Sequence, residues 1–286
     1  MKQATPLDRG TLDRHPLPPV VDGGKETKGR ILILAGSRDV PGAALLTATA
    51  AMRAGAGKLR IATVADAALP LGVAMPEAMV FGLAQAADGG FAPSSANSIA
   101  KLAAEVDAVV AGPGVKRNSA CKKLTAALLE SKAAVALDVA FLETIAPTKQ
   151  QRRPVPVLLP NADELSALLD CDPAEIDSDP IACGRRAAER FRSILLVKGV
   201  TSHVVTPHGE AWAYDGGAPG LGVSGSGDVL AGILGGLLAR GAEPLSALLW
   251  AVWLHGEAGA RLAKKVGPIG FLAREIAGEV PALLPR

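Results

Sequence analysis

The sequence predicts a three-layer α/β/α fold with a mostly parallel central sheet. Short apolar runs typical of buried strands alternate with longer, alanine-rich segments typical of helices, and several of the strand-like runs end in glycine turns. Such alternation is typical of βαβ units. No internal repeat or linker divides the 286 residues. We therefore predict one large domain over residues 25–286, preceded by a loose, polar arm over residues 1–24.

The first strand is predicted in the apolar run that ends at Gly36. A helix follows, opening at Pro41 and Gly42 and closing on Gly55, which are typical start and stop residues. The later strands are predicted in KLRIAT, AMVFGL, AVVAGPG, AAVALD, VPVLLP and SILLVKG. The helices among them are predicted in ANSIAKLAAEV, NSACKKLTAALLES (capped by Asn118 or Ser119), DELSALLD and PIACGRRAAERF.

The last third of the chain is predicted to be a hairpin followed by helices. The hairpin has its turn at Pro207–Gly209. The helices are predicted over Asp228–Arg240, Pro244–Lys264 and Ile269–Leu284. Ligands of such folds bind outside the carboxyl ends of the strands, and the glycine turns after ILILAG, AVVAGPG and SILLVKG fall at that edge.

The composition excludes several classes of protein. The net charge is +2 and no dense run of lysine and arginine occurs, which argues against a nucleic-acid partner. The three cysteines share no CxxC spacing, the four histidines show no zinc-type spacing, and no apolar stretch approaches the length of a membrane span. The N-terminal residues lack the apolar segment of a signal peptide. We therefore expect a soluble, cytoplasmic protein that does not associate with membranes.

The main candidate for a catalytic site is a glycine loop that precedes the helix predicted over Asp228–Arg240. Gly225, Ser226 and Gly227 precede a helix that begins near Asp228. The unpaired N–H groups of a helix start bind anions, and glycines let a phosphate approach them closely. Because a carboxylate at such a site repels phosphate, Asp228 is interpreted as a base that takes a proton from a hydroxyl group. The alternative is that Asp228 only caps the helix.

Five segments, in this order, resemble the ADP/ATP-dependent NAD(P)H-hydrate dehydratases, which are ribokinase-like proteins that repair hydrated nicotinamide cofactors. The segments are GSRDVPGAALLTATAAMRAGAGKL, AGPGV, ALDVAFL, LVKGVTS and SGSGDVLAGILGGLLARG. The resemblance runs from about Lys25 to the C-terminus and implies a ribokinase-like fold. It also implies a reaction in which ADP or ATP phosphorylates the 6-hydroxyl group of NADH or NADPH hydrate. Phosphate then leaves and the nicotinamide double bond returns.

The resemblance also assigns roles to individual residues. Asp228 is the implied base, and the backbone of Gly225, Ser226 and Gly227 holds the phosphoryl group. The substrate-binding residues would be Ala43, Gly114, Asn161 and Asp228, and the nucleotide-binding residues Lys198, Gly199, Val200, Thr201, Ser202 and Gly227. Glu164 is the candidate for organising Mg²⁺ through water.

Each assignment has a structural alternative. Ala43 is also typical of helix packing, Gly114 is also typical of a strand-ending turn, and a lysine such as Lys198 at a strand end is commonly solvated. Glu164 is also typical of a first-turn acid favoured by the helix dipole. Two further residues are interpreted mainly as structural, with Asp138 capping the turn after its strand and His255 lying in the core of an apolar helix.

The sequence departs from the family pattern at two places. Asn161 and Asp163 in LPNADEL replace the histidine and glycine of the family's TPHxGE element, and PNxxE is also found in sugar and vitamin kinases of the superfamily. Val223 and Ser224 stand where the family tends to place lysine and glycine. Two alternatives therefore accompany the dehydratase hypothesis. One is a small-molecule kinase, and the other is a nucleotide-binding protein without turnover. We also expect a homo-oligomer and a separate NAD(P)H-hydrate epimerase acting in the same pathway.

Overall fold

A ten-stranded sheet forms the centre of the computed structural model, which describes residues 4–20 and 22–285. The strand order is β1-β10-β9-β8-β7-β6-β5-β2-β3-β4. Strand β9 runs antiparallel to both of its neighbours, and every other pairing in the sheet is parallel. The strands are β1 (Thr5–Pro6), β2 (Arg30–Leu34), β3 (Lys58–Val64), β4 (Ala78–Leu83), β5 (Ala108–Ala111), β6 (Ala134–Leu137), β7 (Val157–Leu158), β8 (Ile194–Val197), β9 (Ser202–Val205) and β10 (Ala211–Tyr214).

Helices cover both faces of the sheet, which confirms the predicted α/β/α layers. One layer contains α2 (Gly42–Arg53), α3 (Ala65–Ala74), α9 (Ser226–Ala239), α10 (Pro244–Lys265) and α11 (Ala273–Glu279), which contact one another. The other layer contains α4 (Ala96–Ala104), α5 (Ala120–Glu130), α6 (Ala162–Leu169), α7 (Pro173–Ser178) and α8 (Pro180–Phe191). None of the helices in the described ranges combines the length and apolarity that crossing a bilayer requires.

Helix α9 is the most deeply buried helix of its layer because its sequence is apolar all round. It packs against α2 on one side and against strands β5 and β6 below. Gly232 and Gly236 face the backbone of α2, where a Cβ atom would collide with the carbonyl groups of Thr47 and Ala51. This close approach fixes the start of α9 relative to α2 and the sheet.

Three features differ from the sequence predictions. Helices α3 and α7 were not predicted, because α3 contains Pro70 and α7 is a short polar segment. The predicted helix over Ile269–Leu284 is too long, since α11 begins only at Ala273. Gly270 has a φ of 97°, which keeps the preceding residues out of the helix, and a short 3-10 turn around Pro281 follows α11.

The N-terminal arm is not loose over its described residues. Strand β1 pairs with β10, and helix α1 (Arg9–Arg14) packs against α10 and buries Leu12 completely. The indole Nε1 of Trp250 donates a hydrogen bond to the carbonyl of His15 at 2.8 Å. The arm buries three leucines, Leu7, Leu12 and Leu17, and these are too few for a periodicity signal, which is why its order was missed. The domain boundary near residue 25 stays a prediction.

Candidate active site

A cavity of about 830 Å³ lies at the carboxyl end of β8 and extends to the start of α9. This volume is in the range of small-molecule and cofactor sites. Seven of the residues predicted to bind ligand line the cavity: Asn161, Lys198, Gly199, Val200, Ser202, Ser226 and Gly227. Val200 is fully exposed, so its side chain is available to a ligand. Thr201 does not line the cavity, although it belongs to the same predicted nucleotide segment.

The opposite wall of the cavity was not predicted from the sequence. This wall comes from the connection between β10 and α9 and from one face of α10. A signal for the connection was present, because glycine and proline recur between residues 216 and 225. The α10 residues carry no such signal. The wall residues include Tyr214, Gly217, Leu221, Val223, Leu230, Val252, His255 and Gly256.

Helix α9 begins two residues earlier than predicted, because Gly225 is its N-cap and Ser226 and Gly227 already belong to its first turn. Gly225 has a φ of 89°, and a Cβ atom there would lie 2.5 Å from Leu46 Cδ1, so only glycine fits this position. The backbone N–H of Ser226 is already used, because it donates to the carbonyl of Val223 at 3.1 Å. Within the described ranges, the N–H groups of Gly225, Gly227 and Asp228 have no hydrogen-bond acceptor. These three groups can therefore receive the oxygens of an anion.

Asp228 is not a helix cap. Gly225 is the N-cap of α9, and no residue in the described ranges donates a hydrogen bond to the Asp228 carboxylate. Burial, and to a lesser extent the nearby charge of Asp138, raise the pKa of Asp228 to about 7 against the opposing charge of Lys198. A carboxylate whose pKa lies near neutral pH is suited to act as a general base.

Lys198 forms an ion pair that the sequence analysis did not predict. Its Nζ lies 2.9 Å from Asp138 Oδ1 and 3.6 Å from Glu164 Oε2. Burial disfavours the charge on Lys198, but the two carboxylates outweigh burial and raise its pKa. Asp138 also caps the following turn, as predicted, by accepting the N–H of Val139 at 3.0 Å. Lys198 is therefore charged, fixed in place, and part of the cavity wall.

Asn161 and Glu164 form a reciprocal capping box at the start of α6. Asn161 Oδ1 accepts the N–H of Glu164, and Glu164 Oε2 accepts the N–H of Asn161, each at 2.8 Å. The amide oxygen of Asn161 is thus committed to the helix, and its amide NH₂ group is the part available to a ligand. Glu164 keeps a second carboxylate oxygen, so the residue can serve the capping role and a water-mediated metal role together.

No group of three metal-ligating side chains occurs within residues 4–20 and 22–285. Magnesium does not require such a group, because it keeps most of its waters and is held in nucleotide sites by one or two carboxylates and the phosphates. The free oxygen of Glu164 is compatible with that arrangement.

Ala43 and Gly114 lie together, outside the cavity wall. Gly114 has a φ of 64°, and a Cβ atom there would lie 2.6 Å from Ala43 Cβ. The structural alternatives of packing and turn formation therefore describe these residues well. Leu46 lies one helical turn after Ala43 and next to Gly225. Ala43 and Gly114 therefore flank the side of the glycine loop that faces away from the cavity wall.

The fold and the site together define a class of protein. Three features are typical of a ribokinase-like enzyme. They are a mostly parallel sheet, a glycine loop with free N–H groups at the start of a buried helix, and an adjacent carboxylate without a hydrogen-bond donor among the described residues. A ribokinase-like superfamily protein of Enterococcus faecalis V583 has the same fold, with a TM-score of 0.83 and 23% identity over 98% of this chain and 95% of that one.

Comparison with known sequences and structures gives the family. A sequence model described as NAD(P)H-hydrate dehydratase matches residues 31–282. The ADP-dependent (S)-NAD(P)H-hydrate dehydratase of Xanthomonas campestris pv. campestris is 44% identical over 96% of this chain and 94% of its own length. The ADP/ATP-dependent NAD(P)H-hydrate dehydratase of Bacillus subtilis, co-crystallised with ATP/Mg²⁺, superposes with a TM-score of 0.84 and 25% identity over 99% and 98% of the two chains. The chain belongs to the NAD(P)H-hydrate dehydratase family.

This membership confirms the predicted fold and enzyme class. The protein is a dehydratase of the lyase class, and this hypothesis is favoured over the small-molecule kinase and over the binding protein without turnover. The individual site residues stay predictions.

Proposed function

We propose that this protein uses ADP or ATP to phosphorylate the 6-hydroxyl group of NADH or NADPH hydrate and then releases phosphate to restore the cofactor. The observation that carries the proposal is the position and state of Asp228. Its carboxylate has no hydrogen-bond donor among the described residues, burial raises its pKa to about 7, and it follows directly after Gly227, which has an unpaired N–H group and lines a nucleotide-sized cavity.

The nucleotide binds in the cavity, with Lys198 near its phosphates. The free N–H groups of Gly225, Gly227 and Asp228 receive the oxygens of the phosphoryl group as it moves. Asp228 accepts the proton of the 6-hydroxyl group, and the hydroxyl oxygen forms the new bond to phosphorus while the nucleotide leaves. The ring nitrogen then donates its lone pair, the bond between C6 and oxygen breaks, and loss of a proton from C5 restores the double bond.

Phosphorylation has a chemical reason, because hydroxide is a poor leaving group and phosphate is a good one.

The residues around the loop contribute to substrate binding in this proposal. Ala43 and Gly114 give the nicotinamide ring a surface of small residues on the far side of the loop. The NH₂ group of Asn161 donates to the ligand in the place of the family's histidine.

Magnesium is the second part of the proposal. Glu164 would hold the ion through water by its free carboxylate oxygen, and a bound ion would neutralise charge on the nucleotide phosphates. The cytoplasmic location, the homo-oligomer and the separate NAD(P)H-hydrate epimerase are also part of the proposal.

A direct assay tests the proposal. Purified protein is incubated with NADH hydrate, Mg²⁺ and either ADP or ATP, and recovery of the NADH absorption band is followed together with phosphate release. We expect recovery with one phosphate released for each NADH formed. A reaction that accumulates a stable phosphorylated alcohol identifies a kinase, and tight nucleotide binding without any chemistry identifies a binding protein. Either result overturns the proposal.

A further inference from the structure

His255 on α10 lies directly beneath the glycine loop. Its Nε2 atom is 2.9 Å from the hydroxyl oxygen of Ser226 and 3.1 Å from the carbonyl oxygen of the same residue. His255 is thus joined through one ring nitrogen to the centre of the segment that is proposed to bind phosphate.

The protonation of His255 follows from its acceptors. A carbonyl oxygen can only accept, so a hydrogen bond between Nε2 and the Ser226 carbonyl places the hydrogen on Nε2. Burial lowers the pKa of His255 to about 4, while its bond to the Ser226 backbone acts in the opposite direction. The ring is therefore neutral near pH 7. Its Nε2–H group is shared between the carbonyl and the hydroxyl oxygen of Ser226.

Ser226 is thereby held at three atoms. Its N–H donates to the carbonyl of Val223, and its carbonyl and hydroxyl oxygens both accept from His255. The same residue was predicted to contribute its backbone to phosphate binding. Because the N–H and carbonyl groups of Ser226 are both hydrogen-bonded, the backbone of Ser226 holds the loop in place.

Anchoring the Ser226 carbonyl also orients Gly227. The carbonyl of Ser226 and the N–H of Gly227 belong to one planar trans peptide and point in opposite directions. When His255 holds the carbonyl beneath the loop, the Gly227 N–H is turned to the other side. Gly227 has no side chain to restrict its backbone, so this external bond matters more here than at other residues.

We propose that His255 is a positioning residue for phosphoryl transfer, which fixes the Ser226–Gly227 peptide so that the Gly227 N–H faces the reacting phosphate. The proposal rests on the proposed function. It assigns His255 no contact with the reacting atoms and no proton transfer.

Four variants test this role. His255→Leu removes the donor, and His255→Gln keeps an N–H group at a similar reach. Ser226→Ala removes the hydroxyl group but keeps the carbonyl acceptor. Leu249→Ala is the matched control, because Leu249 is a fully buried residue of the same helix that does not line the cavity, and its truncation lowers stability. Each variant is measured for kcat, for ADP affinity by calorimetry, and for thermal unfolding.

We expect His255→Leu to lower kcat about 100-fold, since small displacements of a catalytic group cost factors of this size. The ADP affinity should change much less, because the rest of the cavity wall is intact. His255→Gln should recover most of the rate, and Ser226→Ala should lose less than His255→Leu. Leu249→Ala should retain kcat at temperatures below its unfolding transition. A His255→Leu variant with wild-type kcat, or a loss of rate that tracks the unfolding temperature in both α10 variants, overturns the role.

A spectroscopic measurement supplies a second readout. The ring nitrogens of His255 are assigned by long-range ¹H–¹⁵N correlation, with the His255→Gln variant identifying its signals. We expect a neutral ring protonated at Nε2 at pH 7. A ring protonated at Nδ1 contradicts the proposal even if the rates agree. A wild-type protein without dehydratase activity but with the expected ring signals contradicts the proposed function alone.

Discussion

The ammonium nitrogen of Lys198 lies 2.9 Å from the Oδ1 atom of Asp138, whose side chain is only 2% exposed. The pair joins the carboxyl ends of β6 and β8, which are separated in the sheet only by β7. Lys198 faces the cavity, and Asp138 contributes to the raised pKa of Asp228. The ion pair therefore connects the proposed nucleotide site with the proposed base.

Breaking this pair should destabilise the protein. Lys198→Met leaves the buried carboxylate of Asp138 with the Val139 N–H as its one remaining partner among the described residues, and we expect a loss of about 2–4 kcal/mol in the free energy of unfolding. The double variant Asp138→Asn/Lys198→Met should recover at least half of that loss, because the unpaired charge of Asp138 is removed as well. Urea unfolding measures both values. Equal stability of the single and double variants would show that the pair is not buried as described.

Asp228→Asn should abolish most of the activity while sparing nucleotide binding. We expect kcat to fall by roughly 10²–10⁴-fold, which is the usual range for a general base. The matched control is Asp66→Asn, since Asp66 is the first-turn acid of α3 and its carboxylate is bonded to Gln85. Calorimetry with ADP and the NADH recovery assay measure the two effects. A variant that retains a tenth or more of the wild-type rate would remove Asp228 from the role of base.

The activity should rise with pH through the neutral range. Asp228 must be ionised to accept a proton, and its pKa is raised to about 7 chiefly by burial. The rate profile of the free enzyme should therefore show an ascending limb centred near pH 7. The Asp138→Asn variant removes the charge repulsion between Asp138 and Asp228, so the ascending limb of the rate profile should move to lower pH. An unchanged midpoint in that variant would mean that Asp138 does not influence the base.

The same pKa shift should appear in stability. A carboxyl group whose pKa is raised by folding contributes stability that is present at low pH, falls as the pH rises through the unfolded value, and is lost by the folded value near 7. Asp228→Asn removes this pH-dependent loss. The stability advantage of Asp228→Asn over the wild type should therefore be larger at pH 8 than at pH 5. After allowance for the partial solvent exposure of Asp228, we expect this difference to be about 1–2 kcal/mol in the free energy of unfolding. Thermal unfolding at the two pH values measures the difference, and an equal advantage at both would contradict the shift.

Two glycine substitutions should separate folding from binding. Gly225→Ala places a methyl group 2.5 Å from Leu46 Cδ1 at a φ of 89°, so we expect a stability loss of about 1–3 kcal/mol. Gly227→Ala meets no atom within 4 Å and should preserve stability, but its methyl group enters the cavity and should weaken ADP binding. Unfolding curves and calorimetry test the contrast. A Gly227→Ala protein with full ADP affinity would show that the ligand does not approach this loop.

The part of the site that could be predicted is local in sequence. Two segments of the site carry local sequence signals. Glycines before a helix mark the run from Gly225 to Asp228, and a strand that ends in lysine and glycine marks the segment from Lys198 to Ser202. The capping role of Asp138 was also foreseen. The short helices α3 and α7 and the docked arm were missed, because tertiary packing stabilises these segments more than their own patterns do.

The sequence by itself determined the alternation of strands and helices and the identity of the glycine loop with its acid. These features follow from hydrophobic periodicity and backbone preferences, which act over a few neighbouring residues. Only the tertiary structure decided that Lys198 pairs with Asp138, 60 residues away, and that His255 anchors Ser226, 29 residues away. Those partners meet because the sheet order and helix packing bring distant segments together, and a single sequence carries no local signal for that choice.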